Sequence, residues 1–295
     1  MKPEDFDLFS GIVRQRSGLV LTSDKSYLLE SRLPPVARKH GLKTIEELAQ
    51  AVRDRRGETM MHDITEAMTT NESFFFRDQK PFDRFRQLLL PRFLQARAAK
   101  KQIRVWSAAA SSGQEAYSLS IICAEEAARL QGWKIDILGT DLSQEMIERA
   151  KTGIYSQFEV QRGLPIALLV KYFQQTGDKW QIKDELRRTV QFRTGNLLQD
   201  LGSIGSFDVI FCRNVLIYFD TATKAQVFNQ LAAMLAPDGV LILGGAETVL
   251  GITNKFKLME NESGLYVRAD ASTAAKEPPA SAAVPHAVPF RSASV

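Results

Sequence analysis

The sequence predicts an α/β fold, a parallel sheet covered on both faces, preceded by a short all-helical region. Three observations carry that reading. From Lys101 onward, short apolar runs alternate with helical segments, the pattern of a parallel sheet with crossover helices. From the N-terminus to about residue 70 the chain shows helical periodicity and no strand pattern. Polar loop-formers cluster just after the apolar runs, where an open parallel sheet binds its ligands.

The helical region reads as short amphipathic helices. In "TIEELAQAVR", Thr44 is the expected N-cap, Glu47 stands at capping-box spacing, and Ile45, Leu48 and Val52 form the apolar stripe. In "LLESRLPPVARKHGL", Pro34-Pro35 is expected to end one helix and start another, with Gly41 as a C-cap. "TTNESFFFRD" follows, and its phenylalanines, Phe74, Phe75 and Phe76, point in different directions in any regular backbone. That stretch must therefore bury itself on more than one side.

"IRVWSAA" then reads as the first strand, followed by "SSGQE" and the apolar helix "AYSLSIICAEEAARL". "KIDILGTDLS" is a second strand ending in a polar turn, with the helix "QEMIERAKTG" after it. "VQFRTGNLL" and "FDVIFCRNVLIYF" are further strands, the second nearly all apolar. A helix around "TATKAQVFNQLAAML", the turn and strand "APDGVLILGGAE", and a last edge strand in "ESGLYVRAD" complete the unit. Between Tyr155 and Arg188 the alternation breaks, and a small hairpin around Thr176-Gly177-Asp178 is expected as an insertion.

The chain has 295 residues, a net charge of +4 and a pI near 9.0. That is mildly basic and does not by itself indicate nucleic acid. No apolar run approaches the ~20 residues of a membrane span, and the acidic start "MKPEDFDLFS" lacks an apolar signal core, so a cytoplasmic location without membrane insertion is expected. Cys123 and Cys212 lie in apolar stretches and read as buried thiols of a reducing compartment. His40, His62 and His286 offer no metal-ligand spacing, so no metal is expected. After Asp270 the composition is Ala, Pro and Ser, too poor in large apolar groups to offset ordering entropy, so 271–295 is expected to be disordered.

The strand ends carry the candidate chemistry. The loop "SAAASSGQE" holds a single glycine, Gly113, and so lacks the dinucleotide fingerprint. Asp141 ends the second strand, where a carboxylate either accepts ribose hydroxyls or simply caps a helix. Glu115 would repel a pyrophosphate and suits a cationic amine, or else it complements a helix dipole. Together the two acids favour S-adenosylmethionine (SAM) over a dinucleotide. Asn196 in "GNLL" can read an adenine edge, because an amide both donates and accepts. Arg213 and Asn214 end the most apolar strand, where polar groups need a partner; turn-forming Asn is the alternative.

Taken together, "TTNESFFFRD", "WSAAASSGQEAYSLS", "GTDLS", "GNLL", "FDVIFCRNVLIYF" and "LAPDGVLILGGAE" closely resemble, in order from about Lys25 to Val267, the chemotaxis-receptor glutamate methyltransferases of the CheR family. The resemblance implies a SAM-dependent methyltransferase with a Rossmann-like sheet, a small N-terminal helical domain and an inserted β-subdomain. The expected limits are 1–76 for the helical domain and linker, 77–270 for the methyltransferase domain, and 155–188 for the insertion. It implies that the phenylalanine trio buries into both domains. It implies SAM contacts at Asn71, Ser73, Arg77, Glu115, Asp141, Asn196, Leu197, Arg213 and Asn214, with Ser73 where threonine is commoner. The implied reaction moves a methyl group to a glutamate carboxylate, with Arg77 and Tyr218 orienting that carboxylate.

The implied partner is the cytoplasmic helical bundle of methyl-accepting chemoreceptors, docked on the basic helix through Arg32, Arg38 and Lys39; Arg53, Arg55 and Arg56 form a lower-ranked cluster. A methyltransferase for another protein or a small molecule, and a non-catalytic SAM-responsive module, are the competing readings. A nucleic-acid methylase is disfavoured, since "RNVLIY" has no N-P-P-Y and no aromatic-interleaved basic stripe is present. The hairpin after Tyr172-Phe173 is short, so no receptor-tail peptide is expected to bind there.

Overall fold

The helical layer comprises α1 (Pro3–Ser17), α2 (Ser26–Lys39), α3 (Ile45–Arg53) and α4 (Glu58–Ala67). These come from a computed structural model that describes residues 1–54 and 57–271. The expected disorder at 272–295, with His286, and the cations Arg55 and Arg56 lie outside those residues. Phe9, Val13, Leu29, Leu33, Leu48 and Ile64 close the layer's own core. Thr44 caps α3 as expected, accepting from Glu47 N at 3.1 Å, but the Glu47 carboxylate takes Lys43 N at 2.8 Å, one residue outside a true capping box.

Pro34-Pro35 does not divide α2, contrary to expectation. The carbonyls that the two rings leave without a helical donor belong to Glu30 and Ser31, and both residues are exposed, so water can take them. Leu29, Leu33, Val36 and Ala37 bury the opposite face and hold the helix together across the gap. Gly41 ends it with φ 73° and paired bonds from Gly41 N to Arg38 O and Leu42 N to Ala37 O, a Schellman cap.

The α/β unit begins with α5 (Lys80–Arg84), a π-turn and α6 (Leu90–Ala96). Then come β1 (Gln102–Ala108), α7 (Gln114–Glu125), β2 (Lys134–Asp141) and α8 (Gln144–Thr152). The insertion follows: β3 (Ile154–Ser156), α9 (Gln157–Gln161), α10 (Ile166–Tyr172), β4 (Phe173–Thr176), β5 (Lys179–Ile182) and α11 (Asp184–Arg187). The unit closes with β6 (Val190–Thr194), β7 (Phe207–Cys212), α12 (Thr221–Met234), β8 (Leu235–Leu243), β9 (Phe256–Met259) and β10 (Glu262–Arg268). The main sheet runs β6-β2-β1-β7-β8-β10-β9. Its first five strands are parallel, and β10 runs antiparallel to both β8 and β9. Strand order reverses between β1 and β7, which places a ligand crevice at their carboxyl ends.

Two strand readings need correction. "FDVIFCRNVLIYF" is a strand only to Cys212, because Asn214 at φ 58° breaks the extended backbone and Leu216–Tyr218 form a 3-10 turn. β10 is not the edge: β9, "FKLM", pairs outside it, and its exposed Leu258 breaks the alternation in so short a strand. The insertion forms a three-stranded antiparallel sheet, β3-β5-β4, with a two-residue turn between Thr176 and Lys179.

The phenylalanine trio is also placed differently. Phe75 and Phe76 both belong to the α/β core, and none of the three joins the core of the helical layer. Phe75 meets Tyr155 and Phe173 of the insertion edge-on at 5.0 and 5.5 Å; Phe76 meets Phe82 at 5.4 Å. Phe74 stays half-buried beneath the guanidiniums of Arg77 and Arg162, 5.1 and 4.6 Å from its ring centre. The reason is the path of the chain: it runs without regular structure from Thr69 to Phe74, and Phe76 N bonds Ser118 Oγ on α7 at 3.0 Å.

The two layers join by specific bonds. Glu66 of α4 accepts from Ser143 Oγ (2.7 Å) and Glu145 N (3.0 Å) at the start of α8. Arg14 of α1 meets Asp220 at 2.6 Å, and Asp220 caps α12 through Thr223 N at 2.8 Å. Val20 N donates to Tyr218 O at 3.0 Å, and Leu19 bridges Phe219. No helix among the described residues is long and apolar enough to cross a membrane.

The hydrogen bonds from Thr223, together with Arg14, hold the Asp220 carboxyl at about 2, below its ordinary 3.8. A carboxyl held low stabilises the fold above its ordinary value, and that contribution vanishes as the pH falls through the folded value. Replacing Asp220 with Ala should cost about 1 kcal/mol at neutral pH, a typical N-cap loss. In urea unfolding at stepped pH, the gap between the two proteins should close as the pH drops from about 4 towards 2. A gap that stays constant would remove this role from the carboxylate.

Candidate active site

At the carboxyl ends of β1, β2, β6 and β7 lies a cleft of ≈ 920 Å³, counting its open mouth. Asn71, Ser73, Arg77, Glu115, Asp141, Asn196, Leu197, Arg213, Asn214 and Tyr218 all line it. The structure thus gathers in one place every ligand and catalytic position that the sequence reading named there.

Asp141 ends β2 and is nearly buried. Its Oδ2 accepts from Ser111 N at 2.7 Å and its Oδ1 from Ser143 N at 3.0 Å. Burial pushes the carboxyl above its ordinary value, against the pull of those bonds. The loop after β1 is tight, with Ala109 and Ser111 at positive φ. Such backbone costs energy and gathers at functional sites. Of the eight such non-glycine residues among those described, Ala109, Ser111 and Asn214 line the cleft, and Phe76, Asp78 and Gln79 lie within two positions of Arg77. Ser111 Oγ also donates to Asn71 O at 2.9 Å, so the loop holds the linker in place.

Glu115 stands at the start of α7, accepting from Ser107 Oγ at 2.8 Å and from Arg213 Nη1 at 2.9 Å. Arg213 Nη2 reaches the linker, donating to Arg77 O (2.9 Å) and Asp78 Oδ2 (2.7 Å). The Arg213 side chain is 1% exposed, and its buried Nε has no partner among the described residues. Its terminal nitrogens brace protein groups, and the residue still lines the cleft.

Asn196 is also engaged by the protein. Its Nδ2 donates to Arg16 O at 2.6 Å and its Oδ1 accepts from Leu198 N at 3.0 Å. Only one N–H and the remaining lone pair stay available for an adenine edge. The cause is the end of α1, which packs on this loop. The Arg77 side chain donates one bond, to Glu72 O at 3.0 Å, and makes no other hydrogen bond among the described residues. Tyr218 is half-buried on the 3-10 turn, and its hydroxyl makes no hydrogen bond among the described residues.

Sequence reasoning missed Ser17 and Leu19, which line the cleft from the helical layer. Ser17-Gly18-Leu19 carries only the signal of a helix end. It also missed the buried Glu247, although an acid after a strand is the same signal that singled out Asp141.

The expected docking cations lie outside the cleft. Arg32 is spent on the last carbonyls after α4, Met68 O at 3.1 Å and Thr69 O at 2.9 Å, where a helix end attracts positive charge. Lys39 pairs with the nearly buried Asp63 at 2.8 Å. Arg38 is exposed and has no partner among the described residues. Arg53 of the second cluster is taken by Asp5 at 2.6 Å. Although the histidines alone show no ligand spacing, His62, Asp63 and Glu66 bring ligand atoms within 4.8 Å of one another. Asp63 is already paired with Lys39 and His40, and Glu66 with the start of α8.

Chemically, the cleft presents a carboxylate beside a tight loop, a second carboxylate balanced by a buried guanidinium, and a free phenol. A ligand with vicinal hydroxyls at one end and an amine at the other fits that donor set. Replacing Arg213 with Met should leave Glu115 unpaired in a mostly buried position and release the linker. The expected loss is about 3–5 kcal/mol, the usual result of removing one member of a buried pair. Denaturant unfolding measures it, and a loss under about 1 kcal/mol would show the pair to behave as an exposed one.

Comparison with known proteins agrees with this geometry. Residues 71–265 match the family model "CheR methyltransferase, SAM binding domain", and residues 4–69 match "CheR methyltransferase, all-alpha domain". The chain is 39% identical over 269 residues to chemotaxis protein methyltransferase 1 of Pseudomonas aeruginosa, covering 90% of this chain and 97% of that one. It is 38% identical over 268 residues to the chemotaxis protein methyltransferase of Vibrio anguillarum, covering 90% and 96%. To that of Salmonella typhimurium it is 32% identical over 252 residues, covering 84% of each chain. The chain belongs to the CheR methyltransferase family and is a SAM-dependent methyltransferase of chemotaxis.

Proposed function

We propose that this enzyme forms methyl esters on glutamate side chains of the cytoplasmic helical bundle of methyl-accepting chemoreceptors. The observation that carries this is the pairing of an unbonded Tyr218 hydroxyl with the sparsely bonded Arg77 guanidinium in one cleft. The names of the relatives support the receptor as substrate class. A cytoplasmic place of work belongs to the same reading. Division of the chain at 76, with 155–188 as an inserted subdomain, belongs to the same reading.

When bound, SAM supplies a methyl group on an electrophilic sulfonium. In this reading Asp141 holds the ribose hydroxyls, Glu115 the amine, and Asn71, Ser73, Leu197 and Asn214 the remaining edges. Arg213 acts by fixing Glu115 and the Arg77 backbone together. A glutamate of ordinary pKa, about 4.3, arrives ionised, so no general base is needed. Arg77 and Tyr218 each hold one carboxylate oxygen, aligning the other lone pairs for in-line attack. One-sided contact suits the chemistry, because a full guanidinium clamp would quiet the nucleophile. A partner that retained only SAM binding would have no use for the open phenol. The two-residue hairpin turn at Gly177-Asp178 supports receptor recognition without a tail-peptide tether.

Incubation with methyl-labelled SAM and receptor-containing membranes should give base-labile label on the receptors. Stable label, or label on another protein, would redirect the reading to a different acceptor. Tyr218→Phe should lower turnover by about tenfold or more while SAM affinity, measured by calorimetry, stays within about twofold. Normal turnover would return Tyr218 to a packing role.

Docking rests on the exposed Arg38. Arg38→Glu should weaken receptor methylation without changing SAM binding, and the defect should deepen at low salt, where exposed charges are less screened. A salt-independent defect, or none, would move the docking face elsewhere.

A further inference from the structure

Four backbone N–H groups, three just after β7 and one just after β8, converge on one carboxylate. Glu247 Oε2 accepts from Asn214 N at 2.9 Å and from Gly244 N at 2.7 Å. Its Oε1 accepts from Val215 N at 3.0 Å and from Leu216 N at 2.8 Å. Three successive N–H groups pointing one way form a concave anion site, the kind that elsewhere takes phosphate. Here the chain fills it from within, and Glu247 is 9% exposed. Two further features fit this purpose. Asn214 adopts φ 58°, which turns the backbone off the strand and starts the convergence. Gly244 carries no side chain, and a Cβ there would come 2.7 Å from Oε2.

The residues so held lead directly into the 3-10 turn Leu216–Tyr218. The Tyr218 hydroxyl makes no hydrogen bond among the described residues, so the orientation of its ring depends on the backbone beneath it. We propose that Glu247 is a positioning residue for Tyr218: its carboxylate fixes the 214–216 backbone and thereby aims the phenol at the methyl acceptor. It touches neither SAM nor substrate in this scheme. The inference rests on the role given to Tyr218 above.

Glu247→Gln is nearly isosteric, yet it keeps only one acceptor oxygen and turns an NH2 toward two N–H donors. Its kcat should fall about tenfold or more, since two charge-assisted bonds are lost, while KM for SAM changes by less than about threefold. Gly244→Ala, which pushes the carboxylate aside, should reproduce that pattern. In a Tyr218→Phe background Glu247→Gln should cost little further turnover, because the group it aims is already gone. A purely structural role would instead give the same fold-loss in both backgrounds, and that result would overturn the inference. Full turnover in Glu247→Gln alongside a slow Tyr218→Phe would overturn it alone. Full turnover in Tyr218→Phe would overturn the role of the phenol as well. If neither variant folds, amide exchange on the unmodified enzyme decides: Asn214, Val215 and Leu216 N–H should be strongly protected, and rapid exchange there would sink the idea.

Discussion

The Arg213 guanidinium is the constraint on which the rest of the active site depends. It sits nearly sealed from water, over the Phe82 ring at 5.6 Å, and bonds Glu115 on one side and the Arg77-Asp78 linker on the other. Desolvating such a cation is tolerable only with several well-placed acceptors. The structure supplies three, from two separate parts of the chain. The linker and the first helix of the sheet are thereby locked to the end of β7. Without that lock, the carboxylate of Glu115 and the side chain of Arg77 would have no fixed relation to each other.

Strain gathers around the same point. Phe76, Asp78 and Gln79 before the sheet, Ala109 and Ser111 after β1, and Asn214 after β7 all hold backbone that side chains ordinarily avoid. The aromatic packing underneath offsets that cost: Phe75 against Tyr155 and Phe173, and Phe82 and Phe85 against Phe211. Gly163 shows how close this packing is, since a Cβ there would fall 2.0 Å from Phe75 O. The insertion therefore supports the linker from below, which gives it a structural purpose apart from any partner.

The α/β alternation and the strand-end residues were legible because each follows from a local rule: apolar runs of fixed period, and polar groups where strands stop. Asp141, Glu115 and Tyr218 were found that way or through motif resemblance. What was not legible depends on contacts between distant segments. Nothing near Asn196 announces that Arg16 O will engage its amide, and nothing near Arg32 announces the carbonyls of Met68 and Thr69. The double proline misled because local propensity gave way to the apolar face of α2. The phenylalanine trio misled because its immediate neighbours say that it is buried, and only the tertiary path of the linker says where.

The join between α1 and the 3-10 turn after β7 bears on modularity. Arg16 O holds Asn196, Leu19 and Val20 pair with Phe219 and Tyr218, and Arg14 meets the cap of α12. Ser17 and Leu19 are part of the cleft wall itself. The helical layer is therefore not an interchangeable adaptor clipped to a self-sufficient enzyme. A chimaera that exchanges it for the corresponding layer of a relative must carry both sides of this seam, residues 14–20 together with 196 and 218–220, or it trades away part of the cleft along with the helical layer.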